Sequence, residues 1–169
     1  MRITPGQGLA LARIAFGLYF LSQALDKLNG NWLSDGGPLA RFTQQLLPRS
    51  EAFYRPFLES TVVPESLTFA RLVTTGELVV AILLILGLFT RLGAVIGLWL
   101  NLNYMFMKGL ANNAGSIDRL FVAAELAFAL AAAGLVWGLD GYLARSLPRA
   151  RVVRWLAGPQ RREPVALTS

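Results

Sequence analysis

The sequence predicts an all-α integral membrane protein, a four-helix bundle with an extracytoplasmic loop between its first two helices and a basic interfacial helix near its C-terminus. Hydrophobic residues make up 54% of the 169 residues and charged residues only 15%, which is far from the usual composition of a soluble domain. Four apolar runs are long enough to cross all or most of a bilayer. They cover residues 8–28, 66–89, 92–107 and 119–139.

Composition also limits the chemistry. The chain has no cysteine and no histidine. Disulfides, thiol redox chemistry, thiolate or imidazole metal ligands and a histidine general base are therefore excluded. Catalysis or binding must use carboxylates, arginines, amides and aromatic rings, and we expect no metal site and no intrinsic cofactor.

The first run, 8–28, resembles a signal peptide in position but lacks a convincing small-residue cleavage site, and further spans follow it. We therefore expect a retained transmembrane helix. One stripe of this helix, at helical spacing, combines small, aromatic and basic residues. It consists of Arg13, Gly17, Phe20, Ala24 and Lys27.

Residues 29–65 differ in composition, because proline and glycine interrupt short amphipathic pieces at 39–47 and 51–58. A connection of this length exceeds what two neighbouring helices need. It predicts an extramembrane loop that is either a lid over the bundle or a docking surface.

The centre of the pattern is a transmembrane hairpin, in which the runs 66–89 and 92–107 meet at the polar joint Thr90-Arg91. Glu77 lies about halfway along the first of them. An unpaired charge at the bilayer centre costs at least about 2.5 to 3.5 kcal/mol, so Glu77 must be neutral or must face a polar partner.

The fourth run contains the single carboxylate Glu125 and a stripe of small residues that ends in Gly134 and Gly138. Gly93 and Gly97 repeat the same spacing in the third run. Both pairs predict close helix contact, either as ordinary packing within the chain or as a dimer face.

Residues 1–144 are thus predicted to form the membrane domain, and 145–169 a basic cytoplasmic tail with a helix on the membrane surface. Much of the net charge of +6 lies in this tail. Its position beside a span favours anionic lipid over nucleic acid as its partner, and the positive-inside rule places both termini in the cytoplasm.

Depth along the helices, at ~1.5 Å per residue, predicts which polar residues meet. Glu77 and Asn101 fall near mid-membrane, and Arg71 and Glu125 fall in the outer third, so these are the expected pairs. Arg13 lies lower, but its long side chain could reach Glu77 or the cytoplasmic interface.

These polar residues can be read as interhelical hydrogen-bonding groups, or as the lining of a pocket in the outer half of the bundle beneath the first loop. An apolar pocket with a few convergent polar groups suits a quinone-like or other lipid-soluble ligand. Glu77 is the predicted catalytic or proton-accepting residue. The predicted ligand-binding residues are Arg13, Arg71, Asn101, Tyr104, Glu125, Phe20, Phe121 and Phe128.

Several short motifs, in this order and spacing, resemble the DoxX family of small four-helix bacterial membrane proteins, which is related to the small DoxD-type subunit of thiosulfate:quinone oxidoreductase. The resemblance covers roughly residues 9–143 outside the first loop. The motifs are Ala12-Arg13 to Gly17, Asp26-Lys27-Leu28, Gly76-Glu77, Leu86-Gly87 to Arg91, Glu125 to Ala133 and Gly138-Leu139-Asp140.

The resemblance implies a multi-pass protein of the bacterial inner membrane and, in the characterised branch, a subunit of a quinone-reducing, thiosulfate-oxidising complex. Other branches have a loosely defined link to thiol and oxidative stress. The family's first-helix arginine falls on Arg13, its first-helix-end lysine on Lys27 and its second-helix glutamate on Glu77. The long first loop and the arginine-rich tail depart from the family pattern, and no cysteine is present to handle sulfur.

Three functions remain open at this point. The first is a redox-linked subunit that binds a quinone-like ligand. The second is a non-catalytic accessory or assembly subunit that binds other membrane subunits of a larger complex. A small-solute permease is the weakest, because four helices enclose little space.

Overall fold

The computed structural model describes residues 3–111 and 116–147, and within these ranges the chain is all-α, with seven α-helices and no strand. The helices are α1 (Pro5–Asn29), α2 (Gly37–Leu46), α3 (Arg55–Phe57), α4 (Ser66–Leu86), α5 (Thr90–Lys108), α6 (Ser116–Leu130) and α7 (Leu139–Ser146). A 3₁₀ turn follows α2 at Leu47–Arg49, and a π turn follows α3 at Leu58–Val62. The predicted all-α class is confirmed. Residues 148–169, with most of the predicted basic tail, lie outside the described residues.

Two of the described helices, α1 and α4, are long and apolar enough to cross a membrane. The start of α1 precedes the predicted span because Thr4 caps it. The Thr4 hydroxyl accepts from the backbone N–H of Gln7, the Gln7 side chain accepts from that of Thr4, and Pro5 begins the helix.

Helix α4 ends at Leu86, a few residues before the predicted joint, and Thr90 and Arg91 belong to α5. Gly87 takes a left-handed conformation at φ +61°, which ends α4, and α5 begins three residues later at Thr90. The first N–H groups of α5 are capped from a distant part of the chain. The Asp140 carboxylate accepts from Phe89 N at 2.7 Å and from Thr90 N at 2.9 Å.

The four long helices pack in sequence, α1 on α4, α4 on α5 and α5 on α6. Aromatic contacts also join α1 to α6. The ring centroid of Phe16 on α1 lies 4.5 Å from that of Phe121 and 5.3 Å from that of Phe128, both on α6. Small residues bring α1 and α4 close, because a Cβ on Gly17 would lie 2.9 Å from the backbone of Ile85. The predicted stripe on α1 is its buried face.

The predicted fourth span is wrong in its bounds. Helix α6 ends at Leu130, and 131–138 form turns rather than helix. Ala132 and Trp137 both have a φ of 49°, in the left-handed region that ends a regular helix. Gly134 therefore lies outside α6, where a Cβ would meet Thr90 and Asp140 at 2.2 Å.

The other glycine pair packs within the chain, as the first of the two alternatives predicts. A Cβ on Gly93 would lie 2.9 Å from that of Leu83, and one on Gly97 would lie 2.3 Å from the carboxylate of Glu125. Both glycines allow α5 to approach its neighbours.

Candidate functional site

A cavity of about 280 Å³ lies at the end of the helices where α1 finishes and α4 begins. Residues from α1, α4, α5 and α6 form its walls, and Trp32, Leu39 and Phe42 of the first connection cover it. We call residues 30–65 the cover. The remaining lining residues are Tyr19, Phe20, Gln23, Asp26, Lys27, Glu77, Asn101, Tyr104, Lys108 and Asp118.

The cavity wall contains an ion pair between Lys27 and Glu77, in which Glu77 is the most buried of the paired charged side chains. Lys27 Nζ lies 2.9 Å from Oε1 and 2.8 Å from Oε2 of Glu77, and the Glu77 side chain is only 2% exposed. The Tyr104 hydroxyl donates to the same Oε1 at 2.6 Å. Glu77 is thus held by a cation and a phenol from two other helices, which satisfies a charge that would otherwise be costly here.

A second ion pair lies in the same wall. Lys108 Nζ, at the end of α5, is 3.0 Å from both carboxylate oxygens of Asp118 on α6. The Tyr104 ring stands between the two ammonium groups, 5.3 Å from that of Lys108 and 6.0 Å from that of Lys27. The lysine charges are therefore neutralised by carboxylates of the chain itself.

Asn101 connects the cavity to a second buried carboxylate. Its side-chain amide donates to Glu125 Oε1 at 2.9 Å and to the carbonyl of Gly97 at 3.2 Å. Glu125 is fully buried, and its Oε2 has no hydrogen-bond partner among the residues that the structure describes. Glu125 thus lies behind the cavity wall rather than in it.

The two pairs predicted from helix depth are wrong. Glu77 pairs with Lys27 instead of Asn101, and Asn101 pairs with Glu125. Arg71, the predicted partner of Glu125, is exposed on α4 and donates from Nε to the carbonyl of Leu33 at 2.8 Å. Arg71 therefore holds the cover against α4 rather than lining the cavity.

Arg13 lies at the opposite end of the helices from the cavity. It is fully buried, and its guanidinium donates to the carbonyls of Ala133 at 3.1 Å and Trp137 at 2.9 Å. Of the two alternatives for the Arg13 side chain, contact with Glu77 is therefore not found. Gly87 and Gly138 leave room for the guanidinium, since a Cβ on either would lie within 2.5 Å of Nη1.

Only some of the predicted ligand-binding residues lie in the cavity wall. Phe20 and Tyr104 line the cavity, as do Glu77 and Asn101. In the part of the chain that the structure describes, Phe121 and Phe128 instead pack on Phe16 in the core between α1 and α6. Glu125, Arg13 and Arg71 also lie outside the cavity lining.

Sequence reasoning missed Lys27, Trp32, Lys108 and Asp118 as cavity residues. Lys27 was visible as the polar end of the α1 stripe, and Lys108 and Asp118 as opposite charges at the two ends of a short link. No such signal identified Trp32, because its position depends on how the cover folds back over the helices.

The cavity combines five aromatic side chains with two neutralised ion pairs and two amides, those of Gln23 and Asn101. Its hydrogen-bond donors are ammonium, phenol and amide groups, and its acceptors are carboxylates. Such a wall can hold a flat, uncharged polar ring and can exchange protons with it.

No solved structure matches the chain. A sequence model of the family described as "TQO small subunit DoxD" matches residues 9–158, which is most of the chain. The four long helices, except for the first turn of α1, fall within the matched range together with the cavity and both ion pairs, and the chain belongs to the DoxD family.

Proposed function

We propose that this chain is a membrane subunit of a quinone-reducing complex and that its cavity binds the ring of a quinone-like ligand. The family described as the small subunit of TQO supports a role within a larger complex. The observation that carries the ligand class is the charge balance of the cavity wall. Lys27 is paired with Glu77, and Lys108 with Asp118.

This balance favours a neutral ligand over a sulfur oxyanion. A dianion such as thiosulfate would have to leave water for a site with no uncompensated positive charge, at a large desolvation cost. The additional carboxylate of Asp26 in the wall makes the site still less suitable for an anion. We assign sulfur oxidation to a partner subunit, in agreement with the absence of cysteine here.

Reduction of a quinone to a quinol consumes two electrons and two protons. The electrons would come from oxidation of the sulfur compound on the partner subunit. Among the donors in the wall, Lys27 and Tyr104 both hydrogen-bond to Glu77, and either could turn to a carbonyl oxygen of such a ring. Glu77 is therefore the residue through which a proton would be returned to this pair.

The same proposal places the four long helices across the bacterial inner membrane as a bundle, with both termini in the cytoplasm. Besides the apolar lengths of α1 and α4, the surfaces of all four long helices support this arrangement, because each helix has large apolar side chains that are exposed. They include Leu18, Leu25, Leu72, Ile82, Leu86, Leu92, Val95, Trp99, Leu120, Leu126 and Leu130.

Trp32 provides a direct test, since it lines the cavity and also contacts Lys27, whose Nζ lies 5.4 Å from its ring. A water-soluble short-chain quinone should quench the fluorescence of the detergent-purified protein, and the saturable part of this quenching should disappear in Trp32→Phe. Glu77→Gln and Lys27→Met should each weaken the binding, because each removes one partner of the ion pair.

Glu59→Gln is the matched control, because Glu59 is an exposed carboxylate of the cover. It should bind as the parent does. Full binding by folded Glu77→Gln would contradict the role of Glu77. Absence of saturable quenching in the parent, together with retained association with partner subunits, would leave the accessory-subunit function instead.

A further inference from the structure

A second, apolar groove lies beside the cavity, between α4, α5 and the cover. Its volume is about 60 Å³. Val73 and Leu100 form part of its floor, and Tyr54 and Phe57 form part of its roof. The groove is not used by the ring-binding site described above.

The polar groups that border this groove pair with one another. The Tyr54 hydroxyl donates to the side-chain oxygen of Asn103, and the Asn103 amide donates to the carbonyl of Trp99 at 2.6 Å. Little hydrogen-bonding capacity is left for a ligand. The groove therefore suits a hydrocarbon chain and not a polar ring.

Groove and cavity share a wall. Tyr104 and Leu39 line both of them, and the Tyr104 hydroxyl binds Glu77 on the cavity side. A molecule whose ring occupies the cavity could therefore extend an apolar chain past Tyr104 into the groove.

The other end of the groove faces outward between α4 and α5. Leu72 and Trp99 stand there, each 50% exposed. Half-exposed large apolar side chains on the outside of such helices are suited to contact with lipid.

We propose that this groove holds the part of an isoprenoid or alkyl chain nearest the ring of the ligand, and that the ligand enters sideways from the lipid between Leu72 and Trp99. This inference rests on the proposed ring-binding function and adds the ligand class, a ring that carries a long apolar chain. Since lipid is as apolar as the groove, the chain gains little by transfer. The groove matters as a path that lets the ring reach Glu77 while its chain stays in an apolar environment.

Blocking the path tests this inference. Leu72→Trp places an indole at the mouth, and Leu86→Trp is the matched control, since Leu86 lies on the same helix, is 46% exposed and is outside the groove lining. Binding would be measured for two compounds with the same ring, one without a chain and one with a decyl chain. Val73→Phe, which fills the groove from within, gives a second variant.

Leu72→Trp and Val73→Phe should each weaken binding of the decyl compound about tenfold while the chainless compound binds as before. Leu86→Trp should leave both unchanged. Equal effects on the two compounds, or none on either, in folded protein would overturn the groove assignment while the ring site stands. Failure of the parent to bind the chainless compound would overturn the proposed function, and the groove assignment with it.

Discussion

Lys27 and Glu77 form a bidentate ion pair, with distances of 2.9 and 2.8 Å, that joins the end of α1 to the middle of α4. The two residues meet because side chains on a helix tilt toward its N-terminus. The two helices are antiparallel, since Gly17 meets Ala81 and Ile85 while Lys27 meets Glu77. Each side chain therefore leans along the helix toward the other.

Removing one partner of this ion pair should lower the stability of the folded protein more than removing both. Glu77→Leu or Lys27→Met alone leaves a buried group without its counterion, which costs about 3 to 5 kcal/mol. The double variant removes both charges and should be more stable than either single variant. Thermal unfolding of the four proteins in one detergent measures this, and additive losses would contradict the coupling.

Gly97→Ala should destabilise the contact between α5 and α6. A Cβ at this position would lie 2.3 Å from Glu125 Oε1, so the carboxylate that accepts from Asn101 would be displaced. We expect a loss of about 1 to 3 kcal/mol. Gly8→Ala is the control, because a Cβ added there on α1 would meet no other part of the chain within 4 Å. It should be neutral or stabilising, and equal stability of the two variants would contradict the expected clash.

The cover should loosen at high pH through Tyr54. Burial raises the pKa of Tyr54 to about 12, above the usual value of about 10. Because the folded chain then holds the proton more tightly than the unfolded chain, stability is complete below about pH 10 and falls as the pH rises toward 12.

Tyr54→Phe removes this titration and also the hydrogen bond to Asn103. The variant should be less stable than the parent at neutral pH, and its unfolding temperature should fall less steeply between pH 9 and 11. Other groups titrate equally in both proteins, so parallel curves would show that Tyr54 does not contribute.

Reporter fusions should place Gly36 and Gly158 on opposite sides of the membrane, with Gly158 in the cytoplasm. The arginine-rich tail is the main basis for this expectation. A fusion at Gly36 reports the side of the cover and therefore of the cavity. Both reporters on one side, or Gly158 outside, would contradict the proposed orientation.

Local pattern was enough to predict much of the fold. The predicted joint at Thr90 and Arg91 lies within a few residues of the turn between α4 and α5, which is at 87–89, and the stripe from Arg13 to Ala24 identified the buried face of α1. These features depend on periodicity and on breaks in it, which one sequence shows directly.

The pairs of polar residues were not visible in this way. An estimate of depth from residue number places each side chain level with its own Cα, whereas the side chains of Lys27 and Glu77 meet because they tilt along their helices. The turns that follow the early end of α6 contain Ala133, whose carbonyl accepts from Arg13, 120 residues away. A cover that folds back to place Trp32 over the cavity is likewise a tertiary contact with no local signature.

The buried position of Arg13 has a consequence for the order of assembly. Its two carbonyl acceptors follow it by 120 and 124 residues, so α1 is synthesised long before they exist. At ~5 to 20 residues per second this interval lasts roughly 6 to 24 s. During that time the guanidinium must stay in contact with water, headgroups or an insertion factor, because burial without acceptors is costly. The first helix can therefore take its final depth only after the last turns have been made, and closure of Arg13 on Ala133 and Trp137 would be a late step in the biogenesis of this protein.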